Sequence, residues 1–153
     1  MAREGLEKRK IITWAPYTME NLSREKGEAE RVMSEVLGIE SDNPEYNSIL
    51  KTIGTKIITG TLVPLSDEGW KQLENTDSWR DVPEGDIKKA EELSKFYKKN
   101  FSGIMADIES GADIPAPIIF KSGSKMHLMS GNNRLMIARG LRQRPQVIIV
   151  EYS

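Results

Sequence analysis

The chain has no cysteine among its 153 residues. That excludes disulfides, thiolate metal centres and cysteine nucleophiles together. Its one histidine is His127, so a multi-histidine zinc centre is excluded as well. Charge of either sign is not in excess: 22 basic and 23 acidic residues leave a net −1. Bulk attraction to a polyanion is therefore not available, and any nucleic-acid contact has to come from a local patch. No apolar run approaches the roughly 18 residues that a membrane span requires. The opening stretch, residues 1–10, is charged and has no apolar core of the kind a secretory signal carries. The sequence thus predicts a cytoplasmic protein with no membrane partner. What is present is a globular balance, 38% hydrophobic and 29% charged residues, enough to bury a core without metals or crosslinks.

Helix signals dominate the first two thirds. Ile11-Ile12-Thr13-Trp14 predicts a short strand stopped by Pro16. Thr18 is placed to cap a helix, with Asn21 and Ser23 as alternatives. Leu22, Ala29, Val32, Met33, Val36 and Leu37 then recur at helical spacing as far as Gly38. A second helix is predicted from Glu45 to about Ile53, ended by Gly54. Residues 56–63 are rich in β-branched types and predict a strand. Ser66 caps a short helix carrying Trp70 and Leu73. Residues 75–86 read as a polar surface loop holding Trp79, a ring that could pack or stack on a base. Asp86 caps a helix to about Asn100, with Leu93, Phe96 and Tyr97 as its apolar face and lysines opposite.

The last third carries the clearest signals. A helix over about 104–110 ends at Gly111, and Pro117 to Phe120 predicts a strand. A tight turn at Lys121-Ser-Gly-Ser124 returns the chain along Lys125 to Met129. Ser130-Gly131-Asn132-Asn133 forms a turn, Arg134 to Gly140 a helix, and Val147 to Val150 a closing strand. A strand that runs through glycine into a helix suits an anion. The first helical N–H groups have no partner within the helix, and the helix dipole is positive there. Gly131 lets a phosphate oxygen approach the backbone. Asn132 and Asn133 bring amide donors, and Arg134 brings a planar fork that matches a phosphate. Turns of this kind are also common as plain connections, with the arginine solvated.

The order of these pieces resembles the ParB/sulfiredoxin superfamily. The residues that carry the resemblance are Ala116-Pro117-Ile118-Ile119, then Leu128-Met129-Ser130-Gly131-Asn132-Asn133-Arg134-Leu135. Ile137-Ala138-Arg139-Gly140-Leu141 and Pro145-Gln146-Val147-Ile148-Ile149-Val150 follow. The match covers about a third of the chain; residues 1–100 resemble no family. The resemblance implies a Gly-x-x-Arg turn on the phosphates of a nucleoside triphosphate. It also implies one of several activities: CTP-driven clamping of DNA, nuclease action, or transfer of the γ-phosphate of ATP. Two departures narrow these. Asn132 stands where sulfiredoxins carry a cysteine, so sulfinate repair is excluded. Asn132 and Asn133 replace the Glu and first Arg of the partition proteins, and the sequence ends at Ser153 without their helix-turn-helix domain. The turn is also similar to that of small phage-type members associated with DNA-base modification.

The expectation is therefore an α+β protein, with a mainly helical region over 1–100 packed on a ParB/sulfiredoxin-like unit over 101–153. It is expected to act as a phosphotransferase using ATP or another nucleoside triphosphate with Mg²⁺. The acceptor is expected to be a hydroxyl, such as a hydroxymethylated pyrimidine in DNA. The alternatives are a DNA- or nucleotide-binding module without chemistry, or a nuclease. Ser130, Gly131, Asn132, Asn133 and Arg134 are the expected phosphate cradle. Asp113 is the candidate metal ligand and base, against a reading as a solvated loop carboxylate. His127 is a candidate general base, against a half-buried structural role. Arg142 and Arg144 are candidates for contacting polynucleotide phosphates, or else a solvated helix end.

Overall fold

A computed structural model describes residues 11–152 of the chain. The charged stretch 1–10, read above as lacking a signal sequence, lies outside the described residues. The protein is a mixed α+β structure with two sheets. The larger sheet has four strands: β2 (Val63–Pro64), β6 (Gln146–Glu151), β4 (Ile118–Ser122) and β5 (Lys125–Ser130), in that order. The smaller pairs β1 (Thr13–Ala15) in parallel with β3 (Asp113–Pro115). In the larger sheet β4 runs parallel to β6 and antiparallel to β5, while β2 is antiparallel to β6.

Both faces of the larger sheet are covered along β4 and at the start of β6, which is why these strands read as continuous apolar runs rather than alternating ones, with Ile149 left exposed. Successive side chains point to opposite faces. Ile118, Phe120, Met129, Ile148 and Val150 meet one set of helices. These are α1 (Met19–Ser23), α2 (Lys26–Glu35) and α3 (Tyr46–Ile58). On the other face Ile119, Met126, Leu128 and Val147 pack with Trp70 of α4 (Asp67–Lys71) and with Leu135 of α8 (Asn132–Gly140).

The element α8 lies at the centre of the molecule. Leu135 faces the sheet, and Ile137 and Ala138 face β3 and α7 (Phe101–Ser110). Met136 faces Ala90 of α6 (Ile87–Phe96) and Val82, just beyond α5 (Ser78–Asp81). Its apolar residues thus pack in three directions, while Asn132, Arg134 and Arg139 stay only partly buried. The start of α8 is therefore held rigidly by packing on several sides.

Sequence and structure disagree in several places, and the expected loop over 75–86 holds the short helix α5. Residues 56–63 are not a strand: α3 continues to Ile58, and only Val63–Pro64 pairs in the sheet. Ile49, Ile53 and Ile57 recur every four residues and are all buried. Burying that stripe against the sheet outweighs the β preference of the isoleucines and threonines. The helix expected from Thr18 to Leu37 is broken at Arg24–Glu25 into α1 and α2, with Thr18 capping the first through Asn21 N–H. The apolar face expected at Leu93, Phe96 and Tyr97 is wrong at two positions. Phe96 is 77% exposed and Tyr97 47% exposed, because α6 buries Ala90 and Ser94 instead.

Candidate functional site

The site is built at the junction of β5 and α8. Gly131 joins them with φ +114, a conformation that L side chains rarely adopt. A Cβ there would sit 2.7 Å from Pro117 Cβ and 2.9 Å from Pro117 Cα. Glycine is thus required twice, for the turn and for the approach to the strand entry at Pro117. The turn sets the N-terminal N–H groups of α8 against a cavity of about 640 Å³, within the range of small-molecule sites.

Ser130, Gly131, Asn132, Asn133 and Arg134 all line this cavity. Asn133 is the unusual one. It is 8% exposed, and neither its Nδ2 nor its Oδ1 has a hydrogen-bond partner among the described residues. A buried amide without partners costs about 1–3 kcal/mol, and native proteins rarely tolerate one without a reason. Asn132 is held in place by Thr76, whose hydroxyl donates to Asn132 Oδ1 and accepts from Ser78 N–H at 3.1 Å.

Arg134 does not present a free fork. Its Nη1 donates to Tyr17 Oη at 3.2 Å and to the Pro115 carbonyl, and its Nη2 donates to Ser130 Oγ at 2.9 Å. Glu25 Oε1 lies 3.9 Å from Nη2. The guanidinium thus ties the end of β3, the end of β5 and Tyr17 together behind the cavity wall. Tyr17 is buried here. Burial raises its phenol above the ordinary 10.0, with Glu25 pushing the same way and Arg134 opposing.

The opposite wall comes from distant sequence. Glu25, Glu28 and Arg31 arrive from α2 and the residue before it, and Asn75, Thr76, Tyr97 and Lys99 from loops. Arg31 donates to the carbonyls of Leu128 and Met129 at 3.1 and 3.2 Å and pairs with Glu28 at 3.1 Å. Asn75 clamps β5 by accepting from Leu128 N–H at 2.7 Å and donating to Leu128 C=O at 2.8 Å. Residues 73–75 thereby cover the outer edge of β5, which would otherwise stand unpaired. The cavity wall thus carries Arg31, Lys99 and Arg134 together with Glu25 and Glu28, and the N-terminus of α8 adds a positive end to that balance.

The remaining expected residues lie elsewhere. Asp113 is exposed on β3 and is not in the cavity wall. His127 sits on β5 with Nε2 3.2 Å from Glu74 Oε1, also outside the cavity. Arg142 and Arg144 line a separate cavity of about 260 Å³. Both are engaged there, Arg142 with Glu84 at 3.3 Å, and Arg144 with the Leu65 carbonyl at 2.9 Å and Asp67 at 3.6 Å. Trp79 is not in an open loop: it lies edge-on to Trp70, and the Arg139 guanidinium covers its ring at 3.8 Å. Glu25, Glu28, Tyr17 and Asn75 were not legible as site residues, since only long-range packing brings them to Gly131.

Among the described residues no group of three or more His, Asp or Glu is placed to hold a metal ion by itself, and no helix is long and apolar enough to cross a membrane. Comparison of the chain with protein-family models, with curated proteins and with solved structures returned no match.

Proposed function

We propose that the cavity at the start of α8 binds the phosphates of a nucleoside triphosphate, and that the protein transfers the terminal phosphoryl group to a hydroxyl. The observation that carries the reading is Asn133. A buried, unpartnered amide stands in the wall beside a helix N-terminus opened by a positive-φ glycine. The helix N-terminus favours an anionic oxygen ligand through its dipole and its free backbone N–H groups, and Nδ2 of Asn133 is a further donor without a partner. The order α7, β3, β4, β5, α8, β6 supports a ParB/sulfiredoxin-like arrangement of the unit.

In the transfer, the acceptor oxygen forms a bond to the γ-phosphorus, and the bond from that phosphorus to the β–γ bridging oxygen breaks. The nucleoside diphosphate leaves. Asn133 and the first N–H groups of α8 hold the phosphates; Arg134 positions Ser130 and the strand ends around them. The hydroxyl proton passes to a carboxylate. Of the carboxylates in the cavity wall, Glu28 is the more open, its side chain 46% exposed against 20% for Glu25. Two carboxylates facing a phosphate site fit the donor set that Mg²⁺ takes together with substrate phosphates. Glu25 would hold such an ion, which would supply charge neutralisation on the phosphate oxygens. Asp113 and His127 have no part in this scheme. The acceptor we place as a hydroxymethylated pyrimidine in DNA, which the resemblance of the turn implies.

A binding module without chemistry is the second reading. It is favoured by the engagement of Glu28 with Arg31 and of Glu25 with Tyr17. Calorimetric titration of ATP, GTP and CTP with Mg²⁺, followed by transfer of labelled γ-phosphate to a hydroxymethylated oligonucleotide, separates the two. Binding with transfer is expected; binding alone selects the second reading; no binding of any triphosphate defeats the phosphotransferase and a nucleotide-binding module alike.

A further inference from the structure

The turn between α6 and α7 exposes what a folded protein ordinarily hides. Phe96 and Tyr97 stand side by side in solvent, with ring centroids 5.2 Å apart and planes at 79°. Three exposed residues follow, Lys98, Lys99 and Asn100. Neither Lys98 nor Lys99 is paired with a carboxylate among the described residues, whereas Lys95 one turn earlier pairs with Glu91 at 3.6 Å. Lys98 has φ +57, a left-handed conformation that a lysine adopts only against a steric cost. That turn lets Asn100 cap α7 through Gly103 N–H at 3.0 Å and leaves the rings and the two lysines on one short rim.

The rim belongs to the cavity already described. Tyr97 and Lys99 line it, and Tyr97 also lines an adjoining cavity of about 400 Å³ that shares Asn75, Thr76 and Asn132 with the first. Phe96 and Lys98 line neither. A mononucleotide seated in the cavity has one base and reaches Tyr97 at most. A second, largely exposed ring beyond the mouth, with an unpaired cation beside it, matches a ligand that continues outward as a chain of bases and phosphates.

We propose that Phe96, Tyr97, Lys98 and Lys99 form the platform for a single-stranded nucleic acid. One base stacks on Tyr97 at the cavity mouth, its neighbour stacks on Phe96, and the lysines meet the backbone phosphates. Base-aromatic stacking tolerates any sequence, and a local cationic rim suits a chain whose net charge is only −1. The inference names the acceptor side of the phosphotransferase reading and rests on it for the acceptor's role, but not for the binding itself. It replaces Arg142 and Arg144, both engaged elsewhere, as the nucleic-acid contact.

The test is fluorescence anisotropy of a labelled single-stranded oligothymidylate against wild type, Phe96→Ala, Tyr97→Ala, Tyr97→Phe and the Lys98→Ala/Lys99→Ala double variant. ATP affinity is measured alongside by calorimetry. Phe96 and Tyr97 are exposed, so their variants should keep the wild-type melting curve. Phe96→Ala and Tyr97→Ala should each weaken the oligonucleotide roughly 5- to 150-fold, and Tyr97→Phe should retain it. The lysine variant should reduce the dependence of log K on log salt by about 1.4, for two lost phosphate contacts on a single strand. Phe96→Ala should leave ATP affinity unchanged. Oligonucleotide affinity equal in wild type and Phe96→Ala, or no oligonucleotide binding, overturns the proposal. So does loss of ATP affinity in Tyr97→Ala with the oligonucleotide unaffected, since the ring would then serve the mononucleotide base. Oligonucleotide binding without any triphosphate binding would sink the nucleotide reading and leave this one standing.

Discussion

Replacing Asn133 by leucine should make the ligand-free protein more stable and its phosphate site useless. The amide is buried, and neither polar atom has a partner among the described residues. Removing a buried unpartnered polar group recovers about 1–3 kcal/mol. Leucine has the same branched skeleton and the better helix propensity, worth a few tenths of a kcal/mol in α8, but its methyl groups are bulkier than the amide and their fit costs part of the gain. The net expectation is a gain of about 1–2 kcal/mol, a sizeable part of the 5–15 kcal/mol typical of a domain. Urea unfolding should show a higher midpoint with an unchanged slope. Triphosphate affinity should fall about 10- to 150-fold, the equivalent of one charge-assisted hydrogen bond. An ordinary core asparagine would behave oppositely. If Asn133→Leu lowers the midpoint and leaves triphosphate affinity intact, the amide serves the fold and the reasoning fails.

Gly131→Ala should destabilise the protein by about 2–4 kcal/mol. It combines left-handed strain with a Cβ forced to 2.7 Å from Pro117 Cβ, and its urea midpoint should drop accordingly. Asn75→Ala should cost about 1–3 kcal/mol, because the Leu128 N–H loses its partner at the edge of β5 and the Leu128 carbonyl keeps only Arg31. Faster hydrogen exchange at Leu128 is the direct readout. Tyr17 sets an alkaline limit. Burial holds its folded pKa above the unfolded 10.0, so its contribution is complete below pH 10 and is lost as pH rises above 10 toward the folded value. Unfolding free energy of Tyr17→Phe should therefore decline less steeply above pH 10 than that of wild type.

The parts of the fold legible in the sequence are those written by neighbouring residues. Thr18, Ser66 and Asp86 each cap the helix that their type and position predict. The runs at Ile118 and Val147 mark strands covered on both faces, and Gly131 marks the turn into α8. What misled was local preference set against tertiary burial. Ile57 and Ile58 look like strand residues until the sheet is there to receive the stripe from Ile49. Phe96 and Tyr97 look like core because their types usually are, yet α6 turns Ala90 inward. The cradle was visible as a turn, but its opposite wall was not. Glu25 and Asn75 lie more than fifty residues from Gly131 in the sequence, and only the packing of α2 and the edge cover on β5 brings them there. The role of Arg134 was misjudged for a related reason. An arginine at a helix start looks available until Tyr17, Pro115 and Ser130 close around it.

The most direct measurement is a two-dimensional amide spectrum of the ¹⁵N-labelled protein titrated with ATP, GTP or CTP and Mg²⁺. The account predicts that one triphosphate moves the backbone N–H signals of Asn132, Asn133 and Arg134 and the side-chain amide of Asn133 more than any others. Shifts confined to the cavity of Arg142 and Arg144, or no shift with any triphosphate, would contradict it.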